Sequence, residues 1–110
     1  MNITNEEYME FTRSTAVYPK DQELVYLTLG LTSEAGECSG KVKKMIRDNK
    51  GVMTPEMKAS TLAELGDVAW YLTRLCDHLD ITLSELLELN YQKLLARKKA
   101  GTIQGSGDHR

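Results

Sequence analysis

Between Asp21 and Asp48 the apolar residues Leu24, Leu27, Leu31, Ala35, Cys38, Val42 and Met45 recur at intervals of three and four. That period lays them in one stripe along a long amphipathic helix; a strand would need strict alternation, which no segment of the chain shows. A second stripe, Leu62, Leu65, Ala69, Leu72, Cys76 and Leu79, follows Thr54 as N-cap and Pro55 at the first helical position. Asn49-Lys50-Gly51 separates the two and supplies a C-terminal exit.

Two shorter helical segments flank this pair. One runs from Thr4 to Ser14 and ends in a connector containing Pro19. The other opens with the capping box Thr82-Leu83-Ser84-Glu85 and continues through Leu86, Leu89 and Leu94 to about Ala100. The chain is therefore read as a single all-α domain over residues 1–110, of about four helices, with a flexible Gly-rich tail at about 101–110. The apolar run "VAWYL" at 68–72 covers every side of its helix, which calls for burial on several sides and predicts a homo-oligomer.

Charge narrows the function classes. The 14 basic and 16 acidic residues leave a net charge of −2, which argues against a nucleic-acid polymer as partner. Glu6, Glu7 and Glu10 occupy the place of a secretory n-region, and the longest uncharged stretch, Leu24 to Ser33, is too short to span a bilayer. A soluble, cytoplasmic protein without a membrane partner is expected. Cys38 and Cys76 lie in apolar helical patterns without metal-ligand spacing, and are read as buried thiols.

The chemistry sits in a repeated device. "EAGE" at 34–37 and "ELGD" at 64–67 each place two acids three residues apart, with a glycine between them, beside an apolar stripe. If the two helices pack together, Glu34, Glu37, Glu64 and Asp67 approach one another at the edge of the core, and Gly36 and Gly66 are expected to permit close backbone approach. Two carboxylates about 5 Å apart repel by roughly 3 kcal/mol at an effective dielectric of 20, so the cluster calls for a cation. All-oxygen donors select a hard divalent ion, Mg²⁺ or Mn²⁺. The blander alternative is a solvated face in which Glu37 pairs with Lys41. A di-iron bundle is disfavoured because neither His78 nor His109 stands three residues after a glutamate.

Basic residues continue from the acids. Lys41 and Lys44 follow on the second helix, and Lys93 and Arg97, with Lys98 and Lys99, mark the fourth. Acids that grip metal beside cations that grip phosphate suit a metal-chelated polyphosphate.

"LGLTSEAGECSGKVKK", "LAELGDVAWYL" and "NYQKLLARKKAGTIQGSGDHR" resemble the MazG-like nucleotide pyrophosphohydrolases of the all-α NTP pyrophosphatase superfamily, in particular its short, phage-type members. The resemblance covers ExxE, a spacer of 26 residues between Glu37 and Glu64, ExxD, and N-x-x-K at Asn90 to Lys93. It implies a Mg²⁺-dependent enzyme that converts a nucleoside triphosphate, often a deoxynucleotide, to the monophosphate and pyrophosphate. Glu34, Glu37, Glu64 and Asp67 would be the metal ligands and catalytic acids, Lys93 would contact phosphate, and Asn90 would position sugar or phosphate. Lys44 and Arg97 are further substrate-binding candidates by placement. The resemblance also implies dimers or tetramers, and a tail that orders over bound nucleotide. Ser33 stands where many relatives carry another glutamate, which leaves the number of metal ions open. A binding protein that senses nucleotide or metal without turnover is the alternative on the same fold, and a structural helical oligomer is a third reading. Trp70 is read chiefly as core, and Tyr71, Phe11 and Tyr18 are candidates for contact with a base.

Overall fold

The computed structural model describes residues 1–109. Its elements are α1 (Asn5–Ser14), a 3₁₀ turn (Lys20–Gln22), α2 (Glu23–Asn49), α3 (Pro55–His78) and α4 (Leu83–Ala100), with no strand among the described residues. The all-α reading and its four segments match this order. Capping explains several helix starts. The side chains of Thr4, Thr54 and Thr82 each accept from the backbone N–H three residues on, and Glu7 and Glu85 complete reciprocal boxes for α1 and α4.

α2 and α3 form an antiparallel hairpin. The reversal is made at Lys50 and Gly51, with φ of 56° and 76°, a left-handed conformation that favours glycine at the second position. Asn49 ties the turn by donating from Nδ2 to the Val52 carbonyl at 2.7 Å. The hairpin then keeps one register along its length: Lys41 faces Ser60, Gly30 faces Tyr71 and Glu23 faces His78.

α1 lies across the C-terminal half of α3 and is clamped there by charge. Arg13 donates from Nε and Nη2 to both oxygens of Asp77 at 2.9 Å, and Arg74 reaches the same carboxylate at 2.6 Å and Thr12 Oγ1 at 3.3 Å. The Asp77 carboxyl is held down to about 2 by the hydrogen bond from Arg13, opposed by burial and reinforced by Arg74. Thr12, Leu27 and Thr73 are the fully buried side chains, joined by Met9, Tyr18 and Cys76. Cys38 and Cys76 are both free thiols, and burial pushes the Cys76 thiol up; Cys38 is half-buried.

The stripes read from sequence are covered only in part. Leu27 is fully buried, yet Leu62, Leu65 and Leu79 are each about half exposed or more. α4 touches α1 and α3 and makes no close approach to α2. A contact between Asn5 and Ser84 at 3.2 Å marks its root. The radius of gyration is accordingly 17.0 Å, against about 13 Å for a compact domain of this length. Among the described residues, no helix is long and apolar enough to cross a membrane.

Candidate metal centre and aromatic cavity

At the middle of the hairpin the register brings Glu34 of α2 against Glu64 and Asp67 of α3. One carboxylate oxygen from each lies within 4.8 Å of the others. Glu34 and Glu64 are half-buried and Asp67 is exposed. The Glu34 carboxyl is raised above its ordinary range, first by burial, then by a hydrogen bond with Glu64 and by the negative charges of Asp67, Glu64 and Glu37. The fold therefore holds one proton more tightly at this point than free glutamate would. Oxygen-only donors from two helices, facing one another at this separation, fit a hard divalent cation.

Glu37 does not join this group. It is exposed one turn further along α2 and contributes to Glu34 through its charge. Lys41, read as a partner for Glu37, instead reaches across the hairpin: its ammonium lies 3.1 Å from Glu64 Oε1 and donates to the Ser60 carbonyl at 3.3 Å and to Ser60 Oγ. One flank of the acid group is thus neutralised from within, and the flank toward Asp67 is not.

Gly36 and Gly66, expected to permit close backbone approach, do not do so. A Cβ built on Gly36 or Gly66 would meet nothing within 4 Å, so neither glycine permits a helix contact in this chain. Each stands two residues after an inward-facing acid, about 200° around the helix, and so faces away from the partner helix. The close approach occurs at Gly30, where an added Cβ would fall 2.1 Å from Tyr71 Cε1.

Tyr71, seated against Gly30, also lines a cavity of about 360 Å³ that opens beside Glu34 and Asp67. Tyr18, Tyr26, Trp70 and Tyr71 wall it, with Thr15 and Val17 from the connector after α1. Tyr18 and Tyr26 stack at 5.0 Å with planes 15° apart, and Trp70 meets Tyr71 edge-on at 5.0 Å. Trp70 donates from Nε1 to Thr15 Oγ1 at 2.8 Å, which fixes its ring. Burial raises the Tyr71 phenol, followed by Tyr26 and then the charges of Glu34 and Asp67. Asp67 also raises the Tyr8 phenol, after burial. Trp70 is consequently a half-buried cavity wall where the sequence suggested core, and Phe11 is exposed, outside the cavity lining.

Tyr26 and Thr15 are contributors not assigned to the site from sequence, and Lys41, read there as a phosphate-gripping cation, instead pairs with Glu64. A signal existed for the first, since Tyr26, Gly30 and Glu34 are spaced by fours on one helical face, as are Asp67 and Tyr71.

The proposed phosphate contacts stand elsewhere. Lys44 lines a smaller cavity with Met45, Asp48 and Met57. Asn90 is exposed on α4, and Lys93 and Arg97 turn toward residues 107–108 of the same chain. One chain does not bring Asn90, Lys93 and Arg97 to the acids, because α4 makes no close approach to α2.

Fold and site together define an all-α protein built on an antiparallel helical hairpin, with three carboxylates gathered at the mouth of an aromatic cavity. Over 109 residues the chain is 46% identical to the Gene 37 protein of Mycobacterium phage L5, spanning 94% of this chain and 96% of that one. It belongs to the family of that phage protein. No protein-family model matches the chain. No solved structure matches it.

Proposed function

We propose that the protein is a MazG-like nucleoside triphosphate pyrophosphohydrolase acting in the host cytoplasm. The observation that carries this reading is the meeting of an all-carboxylate group with an aromatic cavity. An anionic, metal-binding end and a planar, apolar end lie side by side, as a metal-chelated nucleotide requires.

Glu34, Glu64 and Asp67 would hold Mg²⁺ or Mn²⁺, with Glu37 adding negative charge from one turn away. A bound divalent ion would supply charge neutralisation of the triphosphate and activation of a water for attack on the α-phosphorus. A carboxylate of the group not engaged with the ion would take the proton from that water, and the bond from the α-phosphorus to the bridging oxygen would break to release pyrophosphate. Stacking between the rings of the cavity contributes about 1 to 3 kcal/mol per base. The large exposed apolar side chains of all four helices are consistent with a homo-oligomer, in which Asn90, Lys93 and Arg97 of one copy can serve the acids of another.

The test is incubation of the protein and Mg²⁺ with each common NTP and dNTP, resolving products by chromatography, with Glu64→Gln as control. Monophosphate and pyrophosphate that vanish in the control are expected. Diphosphate and orthophosphate would place the attack at another phosphorus. Absence of product, with nucleotide still raising the melting temperature, would favour the non-catalytic sensor.

A further inference from the structure

The C-terminal segment returns to α4 and places one carboxylate on two cations. Asp108 Oδ1 accepts from Arg97 Nη2 at 3.1 Å and from Lys93 Nζ at 3.3 Å, while Arg97 Nη2 also donates to the Gly107 carbonyl at 3.4 Å. Glycines encode the return. Gly101, Gly105 and Gly107 have φ of 71°, 140° and 84°, a region that side-chain-bearing residues rarely adopt. Thr102 donates its N–H to the Arg97 carbonyl at 2.8 Å, closing the helix end and starting the reversal.

The arrangement is unequal in a telling way. The Arg97 side chain is 7% exposed, whereas that of Asp108 is 75% exposed. Arg97 presents a fork of donors, of which Nη2 alone is engaged, and its buried Nε has no partner. A buried guanidinium is ordinarily matched by a bidentate anion. Here a single carboxylate oxygen from an exposed aspartate serves both cations, so the site is built for an oxyanion with more acceptor atoms than Asp108 offers.

We propose that Asp108 is an internal competitor at the Lys93–Arg97 oxyanion site, occupying it until a phosphate group of a polyphosphate ligand displaces the tail. The proposal rests on the reading above that these two cations contact substrate phosphate. Displacement exchanges one shared acceptor oxygen for a phosphate group with three, and frees residues 102–109 to re-fold over the ligand. The tail would then cancel one of the two positive charges of the empty site and release it only to a multiply charged anion.

The experiment is calorimetric titration of the full chain with inorganic tripolyphosphate in the presence of EDTA, so that the acid group takes no part. Asp108→Asn is expected to tighten binding at least 5-fold over wild type. Lys93→Gln in the Asp108→Asn background is expected to remove that gain. Asp21→Asn, which deletes an equal charge far from α4 in sequence, controls for net charge and should change affinity less than 2-fold. Unchanged or weaker binding by Asp108→Asn, or an equal gain in Asp21→Asn, would overturn the proposal. The two readings fail separately. Tighter binding without nucleotide turnover by wild type would leave the latch standing and remove the hydrolase. Turnover with an unmoved tripolyphosphate affinity would do the reverse.

Discussion

The α2–α3 hairpin and the α4 arm are built from similar residues and hold themselves in place by different means. The hairpin is registered at every level from Glu23 and His78, 2.6 Å apart, to Lys41 and Ser60. Buried Leu27 and Cys76 lie in its helices, and α1 is bolted across it by Arg13 and Arg74 on Asp77. α4 has one buried side chain, Arg97, and leaves Leu87, Leu89 and Tyr91 more than half exposed. The hairpin can therefore preorganise a site from its own contacts, and the acids and aromatic rings are found there. The arm carries cations whose partner comes from the tail, so its chemistry depends on what replaces that partner. Rigid chemistry is placed on the element with internal register, and exchangeable contacts on the element without it.

The largest effect expected from breaking this contrast is at the α1 clamp. Asp77→Asn leaves the buried Arg74 charge without its carboxylate and should cost about 3 kcal/mol, read by chemical denaturation. The same group sets an acid limit. Its folded pKa of about 2 lies below the 3.8 of an ordinary aspartate, so its stabilisation is complete above pH 4 and is lost as pH falls through 2. Melting temperatures of wild type should drop across that window by more than those of Asp77→Asn.

Next comes the hairpin seam. Gly30→Ala must displace the Tyr71 ring and should destabilise by about 1 to 3 kcal/mol, despite a gain of about 1 kcal/mol in helix propensity. Its cavity should also bind nucleotide more weakly, measured in the same preparation. Gly36→Ala gives the smallest effect and the opposite sign. With open space around it, the substitution should stabilise by up to about 1 kcal/mol and leave metal binding unchanged. Equal effects at Gly30 and Gly36 would erase the distinction between a packed seam and an open face.

Much of this was legible in the sequence, and the limits have a physical cause. The four helices followed from apolar period, and the caps at Thr54 and Thr82 from hydroxyl positions before apolar runs. Glu34, Glu64 and Asp67 were legible as acids beside seams. Glu37 and the role of Gly36 and Gly66 were not, because three-residue spacing restricts a side chain to one half of a helix without fixing the rotation of that helix against its neighbour. Only the register supplies that rotation, and it puts Lys41 on Glu64 and turns both glycines outward. The cavity was harder still, since Thr15, Tyr26 and Trp70 come from three segments whose meeting depends on the path after α1. The tail was read from composition, which reports low packing capacity and is silent about positive φ at Gly105 and Gly107.

The most direct test of the central claim is Mn²⁺ binding followed by electron paramagnetic resonance, comparing wild type with Glu64→Gln and Glu37→Gln. The account predicts saturable binding by wild type, at least 10-fold weaker binding in Glu64→Gln, and a smaller loss in Glu37→Gln, whose carboxylate stands outside the group. Wild type that binds no Mn²⁺, or binding that Glu64→Gln leaves intact, would contradict it.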